Sequence, residues 1–190
     1  MASRRPLSEE FVDALNQVVS YQMHISHVYL GMAYSFTEKR NKPPFAKFFE
    51  NQANMRRDHA DQFLRYLWKR EGKIRPQSHE RPDMKEITTP IIALKLAQEM
   101  ENTLTTMLLH INKADECQEE ELLNILKPFM QKQKRNEDYL KCQLNYQERE
   151  EKKKQSNAHA EDQPFTTSGG KVLRRRVKKP VGDHKVSEVM

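Results

Sequence analysis

The sequence predicts an all-α chain: one four-helix bundle with a single long crossover, followed by a basic tail. Three observations carry that prediction. Glycine is scarce, at 5 of 190 residues. The apolar residues recur at alternating steps of three and four, the period of a helix with one buried face. Proline and turn residues then divide the first 150 residues into four periodic stretches joined by a short, a long and a short connection.

After an arm over residues 1–7, the first helix is expected over about 8–39, opening on Ser8 as N-cap with Glu9 and Glu10 in the first turn. Its stripe is Phe11, Leu15, Val18, Gln22, Ile25, Tyr29, Met32 and Phe36. The turn Asn41 to Pro44 leads to a second helix over about 44–72, with Pro44 suited to the first helical position. Its stripe reads Phe45, Phe48, Phe49, Gln52, either Met55 or Arg56, His59, Phe63 and Tyr66, and Gly72 supplies a stop. Residues 73–89 hold Pro76, Pro82 and no period. Some 16 residues at ~3.3 Å each span ~50 Å, against ~45 Å for a 30-residue helix. The crossover can therefore run the length of the bundle, which makes the second and third helices parallel.

Thr89-Pro90 opens a third helix over about 90–113, with Ile92, Leu96, Glu99, Thr103, Met107 and His110 on one side. Asp115 and Gln118 resemble a capping box for a fourth helix over about 116–150. Its stripe is Leu122, Leu126, Met130, Gln133, Glu137, Leu140 and Leu144. Pro128 falls inside it, where proline costs ~3 kcal/mol and is expected to kink the helix. Short, long, short connections define a bundle in which one long crossover joins two helical hairpins.

Composition narrows the function classes. No apolar run approaches the ~18 residues of a membrane helix, and nothing after Met1 reads as a secretory leader. Two cysteines, Cys117 and Cys142, are too few for a disulfide framework, which points to a reducing, cytoplasmic setting. Residues 151–190 carry ten Lys/Arg against five Asp/Glu, so the net charge of +6 sits almost wholly there. The body is nearly neutral, which argues against a nucleic-acid-binding bundle. The tail reads as basic and disordered. Its run Arg174, Arg175, Arg176, Lys178, Lys179 offers an alternative function: a helical scaffold with a nuclear-import or nucleic-acid-binding element.

Chemistry concentrates at mid-depth, where every helix places a polar residue on its inner face: Gln22, Arg56 with His59, Glu99, and Gln133, with Tyr29 two turns from Gln22. A lone buried histidine is usually a packing residue. Polar groups on all four helices are harder to dismiss, because each unpaired buried group is costly. Tyr21 to Phe36, Phe45 to Phe49, Asp58-His59-Ala60-Asp61 and Leu108-Leu109-His110 resemble segments of animal ferritin heavy chains. The likeness is spread over about residues 8–150. It implies a ferritin-like fold, iron as cargo, and assembly with itself or with ferritin heavy or light chains.

Carried over by position, the resemblance puts Gln22 at the first glutamate ligand of a ferroxidase centre and Arg56 at the bridging glutamate. Tyr29, His59, Glu99 and Gln133 keep the family's residue types. Two of three carboxylates are thereby replaced, and Arg56 is expected to pair with Glu99. That implies a subunit without ferroxidase activity, structural or co-assembling. A surviving oxidase using His59, Glu99 and His24 is a weaker reading. Asp58 and Asp61 match positions at which light chains nucleate mineral. The acids of the iron-entry channel and the fifth helix have no counterpart here.

Overall fold

The computed structural model describes residues 6–38, 43–114 and 120–161. Its helices are α1 Glu9–Glu38, α2 Pro43–Lys69, α3 Pro90–Ala114 and α4 Glu120–Glu161, and no strand occurs among the described residues. The chain divides into two units, Met1–Glu151 and Lys152–Met190. The bundle lies in the first. Of the second, residues 152–161 are described and are helical.

Local chemistry starts the helices where the sequence places them. Ser8 Oγ accepts from Phe11 N–H at 3.3 Å, and Thr89 Oγ1 accepts from Ile92 N–H at 3.3 Å, so each caps an otherwise unpaired donor. Every member of the α1 stripe is buried. α1 and α2 run antiparallel: Phe36 packs on Phe45 and Phe49 at one end, and Ser26 Oγ donates to Ala53 O at 2.7 Å midway. Tyr29 reaches Glu101 of α3. α4 runs antiparallel to α2, through Phe48–Tyr139 and Phe63–Phe129, and to α3, through Lys95–Glu148 and Thr105–Glu137. α2 and α3 are thus parallel, and the aromatic and aliphatic faces of all four helices share one core.

The crossover lies along α1 as its length allows. Asn16 donates to Lys73 O and accepts from Arg75 N–H, at 2.8 and 2.7 Å. Ser20 Oγ accepts from Gln77 N–H at 2.9 Å. Further along, a Cβ on Gly31 would fall 2.7 Å from Met84 Sδ, so the glycine permits this close approach.

Several boundaries differ from the sequence reading. α2 begins at Pro43 and ends at Lys69. Glu71, at φ 54°, takes the left-handed position. Glu71 N–H bonds Trp68 O and Gly72 N–H bonds Leu67 O, the double bond of a Schellman ending. Gly72 therefore serves one residue later than expected: a Cβ there would sit 2.9 Å from Leu67 Cδ2. α3 ends at Ala114. α4 continues to Glu161 instead of stopping near 150, because Glu151 to Gln155 are strong helix formers that need no apolar stripe to extend an existing helix. The first part of the expected tail is accordingly helical. Pro128 does not end α4. It is exposed, as is Asn124, whose carbonyl loses its helical donor and can turn to solvent. The capping pair Asp115 and Gln118, and Cys117, lie outside the described residues.

The largest correction concerns α3. Ile92, Glu99, Thr103 and His110 are exposed, and Leu96 and Met107 are half-buried. The buried face is Leu94, Ala97, Glu101, Leu104, Leu108 and Ile111.

Candidate functional site

At mid-depth one carboxylate organises all four helices. Glu101 of α3 is fully buried. Its Oε1 accepts from Arg56 Nε at 3.2 Å and from the Tyr29 hydroxyl at 2.6 Å. Its Oε2 accepts from Arg56 Nη2 and from Gln133 Nε2 at 2.7 Å. Gln133 Nε2 also donates to the Glu101 carbonyl at 3.1 Å. Tyr29 comes from α1, Arg56 from α2 and Gln133 from α4. Arg56 is 1% exposed and ranks among the largest fully buried side chains. The planar guanidinium fits a carboxylate through two parallel bonds, the geometry in which a buried ion pair best offsets its desolvation. Burial first, then the Glu101 charge, holds the Tyr29 phenol well above its usual pKa, so its hydroxyl stays a donor.

His59 lies one turn beyond Arg56 and is 4% exposed. Its ring centroid is 3.8 Å from that of Phe129. Burial, with Arg56 and Lys132 adding to it, pushes its pKa down to about 3, so the imidazole is neutral at pH 7. Its Nδ1 has no hydrogen-bond partner. Neither Oε1 nor Nε2 of fully buried Gln22 has one either, and the same holds for Gln133 Oε1 and Asn136 Nδ2. A cavity of about 350 Å³ beside His59 is lined by Asn51, Asn54, Met55, Asp58, Gln62 and Lys132.

The structure brings together Gln133, Tyr29 and Arg56 as the sequence suggests, and settles Arg56 over Met55 as the inner residue. It corrects the partner. Glu99 is exposed, and the acid paired with Arg56 is Glu101. Glu99 lies on a stripe at the edge of the core, where Leu96 and Met107 are half-buried and Ile92, Thr103 and His110 are exposed, whereas two residues on, Glu101 shares the inner face with Leu94 and Leu104. Asp58 and Asp61 are exposed, and Asp61 is bonded to Arg65 at 2.7 Å. Arg174, Arg175, Arg176, Lys178 and Lys179 lie outside the described residues.

These side chains fit a di-iron pair poorly. Such a pair draws several anionic oxygens from facing helices. Here one carboxylate is present, each of its oxygens already accepts two bonds, and a guanidinium lies against it. Among the described residues no group of three His, Cys, Asp or Glu side chains is placed to hold a metal ion. None of the described helices is long and apolar enough to cross a membrane.

The ferritin-like domain family matches residues 12–149. Soma ferritin of Lymnaea stagnalis is 30% identical over 112 residues, covering 58% of this chain and 64% of that protein. The middle subunit of Salmo salar ferritin is 31% identical over 101 residues, covering 53% and 57%. The oocyte isoform of the Xenopus laevis ferritin light chain is 28% identical over 111 residues, covering 58% and 63%. The chain thus spans less than two thirds of the length of these curated relatives. The crystal structure of an iron-soaked PmFTN variant is similar with a TM-score of 0.67 and 26% identity, over 73% of this chain and 88% of that one. Middle and light subunits stand among these relatives, so the match defines a family and not a heavy-chain class. With four helices, a crossover laid along α1 and a family match over residues 12–149, this chain belongs to the ferritin family.

Proposed function

We propose that this chain is a ferritin-type subunit of iron storage that does not itself oxidise iron and serves as a structural or co-assembling member of a shell. The buried Arg56–Glu101 pair carries this reading. A guanidinium keeps its charge at any accessible pH and offers no lone pair to a metal. It occupies the level of the bundle where the family resemblance places a bridging carboxylate, and it engages the one acid that remains. Gln22, fully buried, contributes only a neutral amide. The relatives named as ferritin subunits support self-assembly or mixed assembly, and the free, exposed Cys142 is in keeping with a reducing, cytoplasmic setting.

The test is anaerobic addition of Fe(II) to the purified protein, followed by oxygen and observation of ferric absorbance. The expected rate equals that of iron in buffer. Rapid oxidation by the protein alone overturns the reading. Size in solution, alone and mixed with a ferritin heavy chain, tests assembly: a shell-sized particle in either case supports it, and a monomer or dimer in both sinks it.

A further inference from the structure

Away from the buried centre, histidines converge where the crossover passes over α1. A cavity of about 400 Å³ there is lined by His24, His27 and His79, with Met23, Gln77 and Arg81 among its other walls. The rings of His24 and His79 are 5.3 Å apart between centroids and inclined at 44°. Tyr21 packs against both, at 5.8 and 5.3 Å. The Nε2 atom of His79 is buried and has no hydrogen-bond partner. The Ser20–Gln77 bond at 2.9 Å fixes the crossover two residues before His79.

Those distances suit a metal as well as a ring stack. An imidazole nitrogen binds Zn²⁺ at ~2.0–2.1 Å, which places the ring centroid ~3.2 Å from the ion, and two such rings on a tetrahedral ion have centroids ~5.2 Å apart. We propose that His24 and His79 form a two-imidazole site for a borderline divalent cation such as Zn²⁺, clipping the crossover to α1. No third His, Cys, Asp or Glu converges with them among the described residues. Solvent therefore completes the tetrahedron, and His27 lines the cavity without ligating. Burial lowers the His24 pKa, and His79, Arg81 and His27 lower it further. The ring is thus in its neutral, ligating form at pH 7. Arg81 also opposes an incoming cation, so the site is of modest affinity. It is independent of the buried centre and of whether the protein oxidises iron.

The test is calorimetric titration of the full chain with ZnCl₂ in buffer free of chelators, with imidazole NMR shifts recorded on the same samples. One ion per chain is expected, shifting the ring signals of both His24 and His79. Affinity should fall by about tenfold or more in His24→Gln and in His79→Gln and stay within about twofold in His27→Gln. The wild-type ring shifts decide the matter even if a variant folds poorly. Absence of binding, equal binding by the His24→Gln and His79→Gln variants, or shifts confined to His27, His59 or His110 would reduce the cluster to ring packing and overturn the proposal.

Discussion

The chain makes the same bond in two settings. Arg75 lies over the start of α1 against Glu9 and Asp13, with all three side chains 39% to 70% exposed. Arg56 meets Glu101 with both side chains at 1% or less. On the surface, either partner can return to water when the other is removed, so the pair holds only weakly. In the centre neither can, so what matters is the cost of leaving one charge alone. The contrast separates two meanings of an ion pair: a local fastening, and a charge that must be matched before the bundle can close around it.

Arg56→Ala breaks the comparison most sharply, because it strands Glu101 in the core. A loss of ~3–5 kcal/mol is expected from denaturant unfolding, whereas replacing both partners with apolar residues, Arg56→Met with Glu101→Leu, should return to within ~1–2 kcal/mol of the parent. If the single and double variants are equally unstable, the pair is not the matched charge described here. Tyr29→Phe should cost ~1.5–3 kcal/mol, the range for a hydrogen bond to a charged group, with Glu101 Oε1 still held by Arg56 Nε.

His59 gives the pH signature. Its folded pKa of about 3 lies below the ordinary imidazole value of 6.5, so between those values the unfolded chain binds the extra proton. Its contribution to stability is complete above pH 6.5 and drains as pH falls toward 3. The limiting slope is ~1.4 kcal/mol per pH unit. Between pH 5 and 6.5, above the usual carboxylate range, this slope should fall in His59→Leu to the part that His24, whose pKa burial also lowers, contributes. An unchanged slope would show that His59 titrates normally. The smallest effect is expected from Arg65→Ala, whose exposed pair with Asp61 should leave the melting midpoint unmoved within error.

How much could be read without coordinates differs between the halves of the bundle. In α1 the buried face is built from large residues in unbroken four-three steps, and every expected member is buried. In α4, Leu122, Leu126, Gln133 and Leu140 are buried, while the expected Met130, Glu137 and Leu144 are half-buried. α3 hides its face, because Ala93 and Ala97 are small and carry little periodic signal, while the larger Ile92 and Leu109 are exposed. That shifted the expected acid from Glu101 to Glu99. The correct face was still present in the sequence as Leu94, Ala97, Glu101, Leu104, Leu108, Ile111, a series as regular as that of α1. The left-handed ending at Glu71 was illegible for another reason: glycine normally takes that position, and here Gly72 stands one residue after it.

The Arg56 guanidinium also differs from a dissociable cation in how it is supplied. It arrives with the polypeptide at one per chain, no chelator can withdraw it, and it has no second oxidation state. The positive charge that balances Glu101 is therefore present when synthesis ends. It is the same in every molecule, and the closing of this part of the core waits on no external pool of metal.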